Sequence, residues 1–214
     1  MDIAKVANSP PTLIGRSSSH FTRVTRIFAA ELEVEVAFRV VSDLTTLDVA
    51  AYSGNPTLRV PILRTENADW FGTQSICRQL WRLSQRRAKV IWPEHIEQAL
   101  LCNAQELTLQ AMASEVSLIM SKLSGVAADA PYSLKLETAL TNSLAWLEAH
   151  VDNILSGLPA ERDLSFLEVT LYCLLRHLQF RQLLARAPIP RLLGFCEEFE
   201  ARPSAKLTPY HFDA

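Results

Sequence analysis

Three serines in a row, Ser17, Ser18 and Ser19, stand ahead of a stretch in which Phe21, Val24, Ile27, Phe28 and Leu32 recur at helical spacing. A serine hydroxyl at a helix start either caps the first turn or is offered to an anion nearby. A second polar pair, Gln74 and Ser75, opens the run "TQSICRQL" (73–80), where a helix is expected from near Ser75 to Leu83. Unpaired N–H groups and a partial positive charge make such a start a seat for a carboxylate. Ser75 as the N-cap accepts from the helix backbone and keeps its own hydroxyl to give, and Gln74 brings donors and an acceptor. The third feature is Pro61, in the middle of the apolar run "NPTLRVPIL" (55–63). Proline gives no N–H to a ladder, so it marks either an edge strand or a bend at a cis bond. A bend turns backbone groups of Val60 out of the sheet, toward a ligand. Arg59, next to Val60, is a cation for an anionic group or a solvated strand residue.

Other chemistries find little support. The four cysteines, Cys77, Cys102, Cys173 and Cys196, are widely spaced, with no C-x-x-C pair and no metal-ligand spacing. They suit a reducing compartment. His177 lies in an apolar helix with no second histidine or carboxylate at metal spacing, and reads as a core residue rather than a ligand. A formal net charge of -2 gives no invitation to nucleic acid or to an anionic membrane surface. No apolar run reaches the length of a membrane span, and "MDIAKVANSPPTLIG" does not read as a signal peptide. The expectation is a soluble cytoplasmic protein.

The elements that must position these residues fall into two halves. "PTLIG" is a short strand ending at Gly15; the helix led by the serines follows, and then "EVEVAFRV" (33–40) alternates with period two, a half-buried strand. "DVAAYSGNP" makes a brief helical turn. "LRVPILR" and "DWFG" read as strands joined by the turn "TENA". The order β-α-β, connector, β-β-α calls for a parallel pair with a right-handed crossover, then a hairpin and a closing helix. A charged connector, "SQRRAKVIWP", leads into helices expected over 94–124, 132–155, 165–186 and 190–201. Ser165 and Glu168 form a capping box for the third of these. Trp92, Trp146, Tyr132 and Met112 are read as core. Arg78, Arg82 and Arg86, four apart, make a basic stripe on one helix. The fold class is therefore α+β, with an N-terminal mixed domain over 1–84, a linker over 85–93 and an all-helical domain over 94–214.

Taken in order, these stretches resemble the soluble glutathione transferase family over nearly the whole chain. "NPTLRVPIL" is similar to its Asn-Pro and Val-Pro segment, "SSSHFTRVTR" (17–26) to its Ser-Pro-Phe-x-Arg segment, "TQSICRQL" to its Gln/Glu-Ser turn, "LSFLEVTL" (164–171) to its Ser-x-x-Asp capping box and "FEARPS" (199–204) to the end of its last helix. The resemblance implies a thioredoxin-like βαβ-ββα domain that binds glutathione, a cis Pro61 with the Val60 backbone pairing the peptide, and a homodimer. It places Ser19 on the reactive serine and Phe21 on the aromatic; His20 stands where proline is usual, which leaves Ser17 and Ser18 as substitutes. Gln74 and Ser75 fall on the γ-glutamyl carboxylate, and Arg59 on the glycine carboxylate. The basic stripe falls near the dimer seam, where Glu97 or Glu106 of a second copy could meet it; a solvated face is the other reading. In relatives the acceptor pocket lies in the helical domain, here with Met112, Glu115, Met120, Tyr210 and Phe212 as lining residues.

The implied chemistry is modest in magnitude. Near neutral pH only a few per cent of an ordinary thiol is thiolate. Lowering its pKa by about two units takes about 2.7 kcal/mol. One hydrogen bond to the charged sulfur supplies roughly 1.5–3 kcal/mol, and a helix N-terminus about 0.3–1 more. A serine therefore suffices without a base. The implied function is thiolate attack on a small apolar electrophile, conjugation of the detoxifying kind. A non-catalytic binding or protein-interaction module of the same fold is the alternative.

Overall fold

A computed structural model of the chain describes residues 9–183 and 188–213. The described residues divide into two compact units, one made of 9–86 with 211–213, the other of 87–183 with 188–210.

The first unit is built on a four-stranded sheet. Strand β1 (Thr12–Gly15) has Leu13 and Ile14 both fully buried, so both of its faces are covered, as befits an inner strand. It pairs in parallel with β2 (Ala37–Val40) and antiparallel with β3 (Ile62–Arg64), which pairs with β4 (Asp69–Phe71), giving the order β2-β1-β3-β4. Helix α1 (His20–Glu31) makes the crossover between β1 and β2, and packs against α2 (Thr73–Leu83). The hairpin turn is closed by Thr65 N–H on the Ala68 carbonyl at 2.9 Å.

Two expectations in this unit change. The strand read over 33–40 shortens to Ala37–Val40, and all four of its residues are exposed. Residues 33 and 34 instead end α1: Glu33 takes φ 55°, and the Val34 N–H reaches back to the Ala29 carbonyl at 2.9 Å, a left-handed helix stop filled by a residue other than glycine. Strand β2 is also an edge, with the Arg26 guanidinium lying 5.0 Å from the centre of the Phe38 ring. The other change concerns "LRVPILR", where only Ile62–Arg64 is strand and Val60 lies in the loop before it.

The turn at 48–54 forms as expected, by three successive i to i+3 backbone bonds ending at Ser53 and a fourth from the Gly54 N–H to the Val49 carbonyl, with Ser53 and Gly54 both at positive φ. It carries Tyr52 into the sheet, where Ile14, Val41, Tyr52 and Ile62 form a cluster with Leu58 and Val60 against it.

The second unit is helical. Strand β5 (Val90–Ile91) lies parallel to β6 (Leu164–Ser165), with the Lys89 N–H on Asp163 Oδ2 at 2.7 Å. The stretch expected as a linker over 85–93 is thus divided, Val90 and Ile91 forming a strand of this unit and Pro93 opening its first turn. After one 3-10 turn at Pro93–His95 come α3 (Ala99–Leu123), α4 (Pro131–Gly157), α5 (Phe166–Phe180), α6 (Pro190–Glu200) and α7 (Pro203–Lys206). Helices α3 and α4 pack along one another, and α5, buried on nearly every side, is the central one. Helix α5 is shorter than expected, because Gln182 turns at φ 58° and the Leu183 N–H closes on the Leu178 carbonyl at 2.8 Å. Residues 184–186, the end of the helix read over 165–186, lie outside the described residues.

The capping box at the head of α5 is present and larger than the sequence suggests. Ser165 Oγ accepts from the Glu168 N–H at 3.0 Å and donates to Glu168 Oε2 at 2.8 Å. Arg162 then grips the same carboxylate through Nε and Nη2 at 2.8 and 2.6 Å. The hydrogen bonds to Glu168 hold the Arg162 pKa above its ordinary value. Trp92 and Met112 are buried and Trp146 is half-buried against His150, but Tyr132 is 67% exposed, a correction to its reading as core. It sits in the first turn of α4, where the wheel turns outward. Among the described residues no helix is long and apolar enough to cross a membrane.

Candidate functional site

The register of the sheet decides where the candidate residues of the first unit come together. Ile14 of β1 is opposite Ile62 of β3, which is opposite Phe71 of β4. One end of the sheet therefore carries the exit of β1 into residues 16–19, the entry to β3 at Val60 and Pro61, and the exit of β4 into α2. Neighbouring strands are about 4.8 Å apart, so β1 and β4 are separated by roughly 10 Å. An extended tripeptide has that length, at about 3.3–3.6 Å per residue.

On the β1 side, residues 16–19 form a turn closed by the Ser19 N–H on the Arg16 carbonyl at 3.1 Å. Ser19 is the N-cap of α1: its backbone is extended, its Oγ accepts from the Thr22 N–H at 3.2 Å, and its carbonyl takes the Arg23 N–H. Because the oxygen accepts, the hydroxyl proton is left for another partner. Ser19 is half-buried, whereas Ser17 and Ser18 are 3% and 5% exposed, which leaves Ser19 the most accessible hydroxyl of the three. His20 is the first residue of α1 and buried; Phe21 is half-buried, edge-on to the His20 ring at 4.5 Å. Gly15 permits this approach of strand to helix, since a Cβ there would lie 2.5 Å from Thr22 Cγ2.

In the middle, the Val60–Pro61 peptide bond is cis. Val60 is half-buried, Pro61 buried and Arg59 exposed. The loop ahead of them is organised by Asn55, 2% exposed, whose Nδ2 donates to the Arg59 carbonyl at 2.8 Å and whose Oδ1 accepts from Thr57 N–H and Oγ. Asn55 read only as a turn residue in the sequence.

At the β4 side, Ser75 is not the N-cap. Gly72 holds that place at φ 82°, so Gln74 and Ser75 lie inside the first turn, half-buried and exposed respectively. Gly72 carries no side chain, and the first intrahelical bond is Ile76 N–H to the Gly72 carbonyl. The N–H groups of Thr73, Gln74 and Ser75 precede it and face out of the helix start, an arrangement that takes a carboxylate.

The charge near α1 is basic. Arg16 donates to the Ser42 carbonyl at 2.7 Å and lies 3.8 Å from Asp213. Burial, and then the positive charge of Arg23, lower the pKa of Arg26, with Asp213 opposing them. Asp213 was not foreseen: nothing in "LTPYHFDA" marks it, yet its Oδ2 accepts from the Ser17 N–H at 2.8 Å. Of the basic stripe expected on one helix, Arg78 and Arg82 fall on α2 while Arg86 lies beyond its end; Arg82 lies over the Trp70 ring at 5.9 Å and Arg86 donates to the Glu31 carbonyl at 2.7 Å. Both therefore have work within their own unit.

In the helical unit three of the expected lining residues are otherwise engaged. Met112 is fully buried; Glu115 pairs with His177 Nδ1 at 2.7 Å while Arg181 donates to His177 Nε2 at 3.4 Å; the Tyr210 hydroxyl donates to the Cys173 carbonyl at 2.7 Å. His177 has a carboxylate partner after all, from α3, 62 residues away in the chain. A cavity of about 310 Å³ opens elsewhere in this unit, between α3 and α4, lined by Leu118, Ile119, Leu140 and Leu144 with Lys122 and Glu137 among its polar groups. Met112, Glu115, Met120, Tyr210 and Phe212 are not among its lining residues.

No protein-family model matches the sequence, and no curated protein does. Solved structures do. A glutathione S-transferase from Methylobacterium radiotolerans, in complex with glutathione sulfonate, superposes at TM-score 0.72 with 18% identity over 96% of this chain and 98% of its own. The fold is that of the glutathione transferases. Similar agreement is found with a glutathione transferase family member from Pseudomonas fluorescens with bound glutathione, at TM-score 0.72 and 21% identity over 94% of this chain and 99% of its own. A glutathione S-transferase from Methylobacillus flagellatus with glutathione bound gives 0.72 and 16%, over 94% and 100%. The first unit is accordingly thioredoxin-like and the second is the helical domain of the glutathione transferase fold.

Proposed function

We propose that this protein binds glutathione across the end of its four-stranded sheet and activates the thiol for attack on a small apolar electrophile. One observation carries the reading: the serine turn, the Val60 backbone and the open start of α2 stand at one end of the sheet over roughly 10 Å, the length of a tripeptide. In this reading the α2 N–H groups with Gln74 and Ser75 hold the γ-glutamyl carboxylate. Val60 pairs with the peptide as an added strand would. Arg59 takes the glycine carboxylate, and Phe21 packs beside the turn. Ser19 donates its hydroxyl to the sulfur. The thiolate then forms a carbon–sulfur bond as the leaving group departs with its electron pair; in an addition, a proton from water completes the product. The electrophile is assigned to the helical unit, as the resemblance implies. The active form is a homodimer, and the compartment is the cytoplasm.

The second reading, a binding module without catalysis, draws on the use of Ser19 as a helix cap, which alone accounts for a serine there. Calorimetry with glutathione, followed by ultraviolet titration of the bound thiol, separates the two. Heat of binding with a thiol pKa well below its ordinary value supports transfer. Binding with an unshifted thiol leaves the module, and no heat removes both.

A further inference from the structure

Residues 211–213 cluster with the sheet unit rather than with the helices they follow in the chain, and Asp213 ties them in. Its side chain is only 8% exposed, with Oδ2 on the Ser17 N–H at 2.8 Å and 3.8 Å from Arg16 Nε, and Oδ1 3.5 Å from His211 Nε2. The bond has a clear physical reason. In the turn 16–19 the closing bond uses the Ser19 N–H and the Arg16 carbonyl. The N–H of Ser17, a central position, is left over, and Ser17 is 3% exposed. A buried amide of this kind needs a partner. Asp213 supplies it, and its attraction to Arg16 joins the turn to the Ser42 carbonyl beyond β2.

We propose that Asp213 is a positioning residue for thiol activation: by holding the Ser17 amide and Arg16 it fixes the turn from which Ser19 offers its hydroxyl. This rests on the function proposed above. Asp213 touches neither the sulfur nor the peptide; its effect passes through the backbone of the turn. A carboxylate acting on the sulfur by charge alone would do the opposite, because it would repel the thiolate and raise its pKa.

The two effects separate in the thiol pKa of bound glutathione. In Asp213→Ala that pKa rises by about 0.5 to 1 unit, a 3- to 10-fold loss of thiolate at fixed pH below it, while the Kd for glutathione changes less than about threefold. Asp213→Asn keeps an acceptor for the Ser17 N–H and holds the thiol pKa at or below that of the parent. A thiol pKa unmoved in Asp213→Ala, or lowered in both variants, overturns the proposal. If Asp213→Ala does not fold, Asp213→Glu carries the test. It has the same charge with the carboxylate displaced by one methylene, and must raise the thiol pKa; an unshifted value overturns the proposal. A parent protein that gives no heat with glutathione overturns both this proposal and the function beneath it. A parent that binds and activates, with variants that do not differ from it, overturns this one alone.

Discussion

Replacing Ser19 separates its two uses. As N-cap it accepts from the Thr22 N–H, and loss of such a cap to alanine costs about 1 kcal/mol, whereas glycine there loses only a few tenths. For a chain of this length, about 1 kcal/mol corresponds to roughly 2–4 °C in Tm. As thiol donor it gives one charge-assisted hydrogen bond, worth roughly 1.5–3 kcal/mol, or about 1–2 units of thiol pKa. Ser19→Ala is therefore expected to lower Tm by about 2–4 °C and Ser19→Gly by about 1 °C or less, yet both should raise the thiol pKa of bound glutathione by the same 1–2 units. Ser19→Thr, which keeps cap and hydroxyl, should behave as the parent in both. Differential scanning calorimetry reads the first quantity and titration of thiolate absorbance the second. If the thiol pKa stays put in both variants while Tm falls only in Ser19→Ala, the residue is a cap and nothing more.

Three further outcomes follow from contacts described above. Gly15→Ala, whose Cβ would meet Thr22 Cγ2 at 2.5 Å and Oγ1 at 2.6 Å, should destabilise by about 1–3 kcal/mol in a denaturant titration, and Thr22→Ala added to it should recover part of the loss. Glu168→Gln removes the charge gripped by Arg162, at side-chain exposures of 17% and 12%. On the order of 2 kcal/mol should be lost, between the values for exposed and buried pairs, read as a fall of roughly 4–8 °C in Tm. Tyr52→Phe should be neutral or slightly stabilising, because the Tyr52 hydroxyl is buried without a hydrogen-bond partner among the described residues and deletion removes only an unmet polar group; a loss above about 1 kcal/mol would contradict this.

Periodicity and punctuation made much of the fold legible. The β-α-β then β-β-α order, the strand ending at Gly15, the turn before Asn55 and the serine cap of α5 all follow from patterns of a few neighbouring residues. What escaped the sequence has a common cause. Helices α1 and α5 stop at Glu33 and Gln182, both left-handed without glycine, so neither carried the residue that usually marks such a stop. Gly72, which caps α2, read as the end of a strand and pushed the helix start onto Ser75. Long-range pairings were invisible for a simpler reason. Glu115 with His177 and Asp213 with Ser17 join residues 62 and 196 apart, and no local spacing records them. Two of the expected lining residues, Glu115 and Tyr210, are spent on such pairings. At the candidate site, the serine turn and the Val60–Pro61 bend were legible because each is a short, unusual string. Their meeting at one sheet end needed the register.

The bond from Asp213 to Ser17 has a consequence for how the molecule comes into being on the ribosome. Domains emerging first fold first, at about 5–20 residues per second of synthesis, so the 196 residues between the two represent a delay of roughly 10–40 s. During that interval the nascent sheet carries an amide with nothing but solvent to satisfy it, and the turn before α1 is held by fewer ties than in the finished chain. Maturation of that corner thus waits on translation, which withholds this fastening until the helical unit has also been made.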